Sequence, residues 1–194
     1  MTTTIIPARE RAQAPIGCAY VAPLFWNKWF RWDGSRASGH YQLGERTQDE
    51  HHTGLQVFAD GEWLPTVKGL SDFAGIAGEA ISGLAIKVTK GKIKYRVHIK
   101  DGHWLSWVTG FNLNDDVNGY AGILGMDIDA VQIHYTTPAD VKSAHGSYYK
   151  ATYRVSAVNE DYYDWQHDDE KDSKQDGYAG TKGKAIDRIE LTLT

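Results

Sequence analysis

Apolar and polar residues alternate along the part of the chain that follows residue 52. Ile93, Tyr95, Val97 and Ile99 fall on one phase, and Lys92, Lys94, Arg96, His98 and Lys100 on the other. This is the pattern of a half-buried strand with a basic outer face. The segment 128–135 alternates in the same way. Short strands of this kind, separated by glycine and polar turns, predict an all-β protein.

The alternation belongs to an internal repeat. Three stretches share an aromatic-Ala-Gly-x-x-Gly core: Phe73-Ala74-Gly75 with Gly78, Tyr120-Ala121-Gly122 with Gly125, and Tyr178-Ala179-Gly180 with Gly183. After each second glycine, apolar residues recur at the same offsets: Ile81, Leu84, Ile86; Ile128, Val131, Ile133; Ile186, Ile189, Leu191. Upstream, copies two and three align without a gap. Tyr95-Arg96-Val97 matches Tyr153-Arg154-Val155, Trp104 matches Tyr162, Trp107 matches Trp165, and Asn118-Gly119 matches Asp176-Gly177. Copy one keeps Asp60-Gly61-Glu62-Trp63-Leu64 opposite Asp101-Gly102-His103-Trp104-Leu105, but has Thr66 in place of the second Trp and Phe73 in place of Tyr. Its loop 67–72 is also six residues shorter than 108–119, which makes it the degenerate copy.

Each copy reads as a strand, a second strand bearing aromatic-x-x-Trp, a polar loop, a glycine turn and a closing strand. Gly75, Gly122 and Gly180 are expected to supply a positive φ or a close backbone approach. Units this small cannot bury an apolar face alone, so the sequence predicts a three-repeat β-trefoil-like barrel over 53–194, with repeats at about 53–92, 93–145 and 146–194. A β-prism or a sandwich uses similar strands, and the pattern does not choose among them. Residues 1–52 form an N-terminal extension.

Composition narrows the function classes. The chain has 194 residues, 41% of them hydrophobic, with 20 Gly, seven Trp and 11 Tyr against two Met, which suits short aromatic strands. The formal charge of −4 (21 Lys+Arg, 25 Asp+Glu) has the wrong sign for affinity gained by neutralising phosphates, so no nucleic-acid partner is expected. Cys18 is the single cysteine, which excludes an intramolecular disulfide and a cysteine-rich metal site. Residues 1–11 lack the apolar core of a signal peptide and no run of roughly 18 apolar residues occurs, so cytoplasmic synthesis without a membrane partner is expected.

The residues Tyr95-Arg96-Val97-His98 through Trp104, Trp107, Gly119-Tyr120-Ala121-Gly122 and Ile128-Asp129-Ala130-Val131, repeated in order, resemble the tryptophan-containing hydrophobic repeats first described in clostridia. The longer form resembles the triple-repeat C-terminal wall-binding regions of peptidoglycan hydrolases from Gram-positive bacteria and their phages. The resemblance covers 53–194 and implies a non-catalytic module that binds cell-wall polysaccharide or peptidoglycan. Residues 1–52 are too few for an amidase, muramidase or peptidase domain, so the enzymatic part of the resemblance does not carry over.

Sugars stack their apolar ring faces on aromatic side chains while their hydroxyls seek polar neighbours. The candidate ligand-binding residues are therefore Trp104, Trp107, Asn118 and Tyr120 in copy two, Tyr162, Trp165, Asp176 and Tyr178 in copy three, and Trp63 alone in copy one. The competing reading is that these aromatics are core or repeat-interface packing. Asp129 and Asp187 sit at the outward phase of their strands, as solvated residues or turn acceptors. The loop 160–176 holds eight acidic residues. It faintly resembles a calcium loop, but Lys174 occupies a ligand position and Gly183 stands where the closing Glu belongs, so no metal or cofactor is expected.

No catalytic motif is visible. There is no HExxH, no Gly-x-Ser-x-Gly elbow and no phosphate-binding glycine loop, so no catalytic residue is assigned. In the extension, Phe25-Trp26-Asn27-Lys28-Trp29-Phe30-Arg31-Trp32 followed by Asp33-Gly34 predicts a hairpin. Its Trp26, Trp29 and Trp32 are candidate partner-binding anchors, the competing reading being that these rings cover the open end of the barrel. The basic face 87–100 and the acidic loop 160–176 are complementary and would steer like subunits together as a homo-oligomer.

Two function classes follow. The first is a carbohydrate- or wall-binding module, phage-associated, that attaches other subunits of a phage or hydrolase assembly to a Gram-positive surface. The second is a structural virion protein of the tail or capsid that uses the trefoil as a scaffold. Either would reach its site in a virion or by release at lysis.

Overall fold

The computed structural model describes residues 52–146 and 148–194. The hairpin expected in the extension and its Trp26, Trp29 and Trp32 lie outside the described residues. The described residues are mostly strand and turn, with one short helix. The long strands are β1 (Thr53–Ala59), β5 (Gly83–Val88), β6 (Lys92–Ile99), β8 (Ile128–Thr136), β9 (Ala151–Ala157) and β12 (Ile186–Leu193). Between them lie the two-residue strands β2 (Glu62–Trp63), β3 (Val67–Lys68), β4 (Ala74–Gly75), β7 (Ala121–Gly122), β10 (Gln166–His167) and β11 (Ala179–Gly180).

Each copy pairs its first long strand with its closing strand: β1 with β5, β6 with β8, and β9 with β12, all antiparallel. The Ala-Gly strand leaves its own copy. β4 of copy one pairs with β12 of copy three, β7 of copy two with β5 of copy one, and β11 of copy three with β8 of copy two. The register matches throughout, since Ala74, Ala121 and Ala179 face Ile189, Leu84 and Val131, residues at one repeat offset. These hand-offs run in one cyclic order. The strands form three sheets, and no single sheet closes on itself as a barrel among the described residues.

The glycine expectation holds for a physical reason. Gly75, Gly122 and Gly180 have φ of 128°, 136° and 112°. A Cβ on each would fall on a backbone carbonyl oxygen, that of Asp187, Ser82 or Asp129 respectively. Only glycine allows the crossing strands to approach this closely.

The core takes the inward phase of every long strand. Leu55, Tyr95 and Tyr153, equivalent in the three copies, are fully buried among Ile81, Ile86, Ile128, Ile133, Ile186 and Leu191. The Ile81 N–H donates to the Ile186 carbonyl and the Ile128 N–H to the Ile81 carbonyl, both at 2.9 Å, so this position links copies directly. The two tyrosines reach the far wall of their copies. Tyr95 donates its hydroxyl to the Gly110 carbonyl (2.7 Å) and Tyr153 to the Asp168 carbonyl (2.8 Å). Burial pushes the Tyr95 phenol up to about 12.

Two expectations about the outer face are corrected. His98 is not on the basic outer face: only 7% exposed, it bonds Asp129 through Nδ1 at 2.7 Å. Asp129 and Asp187 are not solvated, each having 0% exposure; the other half of that expectation holds, since each accepts the N–H of a glycine turn. A bulge in β8 between the His98 and Ile99 pairings, and one in β12 between Ile186 and Arg188, inserts a residue at each aspartate. The extra residue breaks the two-residue phase and turns the carboxylate inward.

A short helix, α1 (Ala139–His145), joins copies two and three. Pro138 precedes it, Asp140 lies in its first turn, and Gly146 (φ 70°) ends it by donating to the Lys142 carbonyl. Among the described residues no helix is long and apolar enough to cross a membrane.

Candidate functional site at the repeat junctions

The candidate aromatics do come together, across copies by ring contacts and within copies around a shared guanidinium. Trp63 of copy one meets Tyr120 of copy two edge to face, with ring centroids 5.2 Å apart. Trp104 of copy two meets Tyr178 of copy three in the same way at 5.6 Å. At the third junction Tyr162 and Phe73 share a cation, Arg188, at 5.0 and 5.9 Å. The crossing of each Ala-Gly strand into a neighbouring sheet carries the preceding aromatic with it. Each junction therefore adds an aromatic of a neighbouring copy to the set that one copy supplies.

Arg96 and Arg154, at the outward phase of β6 and β9, organise two of these junctions. The Arg96 guanidinium lies over Trp104 (5.0 Å) and Trp107 (4.6 Å), and that of Arg154 over Tyr162 and Trp165 (4.4 Å each). Both are aimed by their cross-strand neighbour on the closing strand. Arg96 Nε donates to Gln132 Oε1 (2.8 Å), and Arg154 Nε to Glu190 Oε2 (2.6 Å). Gln132 Nε2 in turn donates to the Gly177 carbonyl, tying the junction to copy three. Copy one has Gln56 at the arginine position, opposite Ala85, and Gln56 turns to the Leu64 carbonyl instead.

Behind the rings lies a support layer. Asp129 accepts His98 and, through Oδ2, the Gly183 N–H (2.7 Å); the His98 ring packs edge to face on Trp104. Asp187 accepts Ser156 (2.6 Å), Arg188 (3.2 Å) and the N–H groups of Gly78 (2.8 Å) and Asn159 (3.3 Å). Burial raises the Asp187 carboxyl, but these bonds outweigh it and hold it below the ordinary carboxylate range. Each aspartate therefore caps the glycine turn of the next copy in the cycle and fixes the junction from below.

The remaining candidates divide. Tyr120 is 8% exposed, and Trp104, Trp107, Tyr162, Trp165, Tyr178 and Trp63 are half-buried. Asn118 is exposed, and its Oδ1 accepts the Thr109 N–H (2.8 Å), which braces the loop rather than facing a ring. Asp176 is exposed in the acidic loop, where Asp172 accepts the N–H groups of Lys174 and Gln175 in a tight turn. The Tyr162 hydroxyl is buried without a hydrogen bond, and burial pushes its phenol up to about 12, the Glu190 charge adding to the effect.

The complementary basic and acidic surfaces meet partly inside the chain. Lys94 lies 3.4 Å from Asp169, which also accepts His134 Nδ1 at 2.8 Å, and Lys150 pairs with Glu170. Those charges are engaged already, which weakens them as guides for subunit association. Arg96, Arg154, Gln132, Glu190 and His98 were not among the sequence candidates. Their signal was present, since Tyr-Arg-Val recurs in copies two and three and is lost with the second Trp in copy one. No family model, curated protein or solved structure matches the chain.

Proposed function

We propose that the chain is a non-catalytic carbohydrate-binding module, built on a β-trefoil-like three-repeat scaffold, that attaches a phage or hydrolase assembly to a Gram-positive cell wall. The observation that supports this reading is the duplicated junction: a half-buried ring pair, a planar guanidinium and its amide or carboxylate partner, placed once beside Trp104 and Trp107 and again beside Tyr162 and Trp165. Rings supply stacking surface, and the Arg-Gln and Arg-Glu pairs supply directional bonds for hydroxyls. The junction with Gln56 and Thr66 lacks half of this set and is the weak one.

The virion-scaffold reading draws its own support from Trp107, over which both Lys94 (4.3 Å) and Arg96 lie. A face already covered by cations is packing surface. Co-sedimentation of the full chain with purified walls separates the two readings. One stacked ring contributes on the order of 1 kcal/mol, so Trp104→Ala and Trp165→Ala should weaken binding several-fold more than Trp63→Ala. Tyr120→Phe and Tyr178→Phe remove a hydroxyl without opening a cavity and control for stability. Absence of saturable binding by a folded parent favours the scaffold.

A further inference from the structure

Copies two and three differ sharply at the open end of their hairpins. In copy three the Asp168 carboxylate fills the gap between two strands, its Oδ1 accepting the N–H groups of Tyr135 (2.8 Å) and Ala151 (2.9 Å). The Asp168 N–H completes the contact by donating to the Ala151 carbonyl at 2.8 Å. The 58-residue offset that superposes Tyr95 on Tyr153 makes Ile93 the equivalent of Ala151 and Gly110 the equivalent of Asp168. The offset between closing strands makes Val88 the equivalent of Tyr135.

The same amides point into the same place. Ile93 is paired with Tyr135, whose N–H turns away from β6 to reach Asp168, so this is a non-hydrogen-bonded pair and the Ile93 N–H also points outward. Thr89 donates to the His52 carbonyl, which makes the next pair, Thr53 with Val88, non-hydrogen-bonded as well. The Val88 N–H therefore points away from β1. The Gly110 carbonyl takes the Tyr95 hydroxyl as the Asp168 carbonyl takes that of Tyr153, so the two residues hold matching positions. Gly110, however, brings no carboxylate, and its N–H goes to the Asn118 carbonyl. The chain continues without that carboxylate and leaves a cleft of about 820 Å³ lined by Val88, Ile93, Gly110, Lys87, Lys92 and Lys94 among others, with no carboxylate among the described residues of its wall.

We propose that this cleft is a carboxylate-binding subsite for an N-acylated amino acid. The ligand's carboxylate would accept the Val88 and Ile93 N–H groups, and its amide N–H would donate to the Ile93 carbonyl, reproducing what Asp168 does for copy three. Lys87, whose Nζ lies over Phe111 at 4.6 Å, and Lys92 flank the carboxylate and favour its charge. The inference stands apart from the wall-binding reading, because it uses none of the junction aromatics.

The test is an amide chemical-shift titration of the isotope-labelled full chain with N-acetyl-aspartate, acetate and inorganic phosphate. N-acetyl-aspartate should shift the Val88 and Ile93 amides saturably, with a dissociation constant on the order of millimolar. Tyr135 and Ala151, already occupied by Asp168, should not move. Acetate, which lacks the amide, should bind more weakly. Lys87→Gln and Lys92→Gln, both on exposed side chains, should each lower affinity roughly threefold. The proposal is overturned by unsaturable shifts, by equal movement of Tyr135 and Ala151, or by phosphate binding as tightly as N-acetyl-aspartate.

Discussion

Copies one and three receive the same kind of turn support but give different kinds. The Gly78 turn of copy one rests on Asp187 of copy three, and the Gly183 turn of copy three rests on Asp129 of copy two. The Gly125 turn of copy two has only Ser82 of copy one at the equivalent position, and Ser82 makes no such bond among the described residues. The degenerate copy is therefore well supported and supports poorly. In a cyclic arrangement the loss caused by a diverged copy appears in its neighbour.

The largest effect that tests this comparison comes from the crossing glycines. Gly75→Ala, Gly122→Ala and Gly180→Ala combine a strained φ with a Cβ driven onto a carbonyl oxygen, and each should cost roughly 3 kcal/mol or more in urea unfolding, or prevent folding. Gly125→Ala and Gly183→Ala, at φ 88° with open space around the Cβ, should cost only about 1 kcal/mol. Equal losses in the two groups would mean that the strand crossing is not the constraint.

The aspartate caps come next. Asp129→Ala and Asp187→Ala each strand buried donors and should cost about 3 kcal/mol, while Ser82→Ala should stay within about 1 kcal/mol. Asp187→Ser makes copy three as weak a supporting acceptor as copy one, and hydrogen exchange should then quicken at the Gly78 turn while the Gly183 turn is unchanged. Faster exchange at both turns would refute the idea that each copy supports only its neighbour.

Acid supplies the smallest and most specific effect. Asp187 and Asp169 are held below the ordinary range: burial raises each, and hydrogen bonds, with the nearby His134 and Lys94 charges for Asp169, more than offset it. Their stabilisation is present above the ordinary carboxyl range, near pH 4, and is lost as pH falls through the folded values. Asp168 has the opposite sign. Burial raises it despite the Tyr135 and Ala151 N–H groups, so its contribution weakens as pH rises through the window between its ordinary and folded values. Stability measured from pH 5 downward should fall less steeply in Asp187→Asn than in the parent.

The repeat, its strands and the three glycines were legible because each offset must meet an equivalent neighbour in every copy. Phase alone could not place Asp129 and Asp187, since one inserted residue reverses inside and outside without changing the pattern of letters. Nor could it pair Trp104 with Tyr178: alignment shows which copy a residue belongs to, whereas contacts follow the hand-off of β11 to β8. The helix α1 was missed although Pro138, Asp140 and Gly146 mark its ends, because it lies between copies where the repeat offers no comparison.

The cyclic exchange of Ala-Gly strands also determines how the chain can be cut. Removing copy three takes away the strand that β4 pairs with and the β11 segment that covers β8, so a two-copy fragment loses contacts at both of its ends. Such a fragment should not survive as an independent folding unit. A circular permutant keeps every pairing. The Thr53 hydroxyl lies 3.3 Å from the Leu191 carbonyl, so the start of β1 and the end of β12 are already neighbours that a short linker can join. New ends opened at the exposed residues 116–117, where no strand crosses, should leave an all-or-none unfolding transition intact.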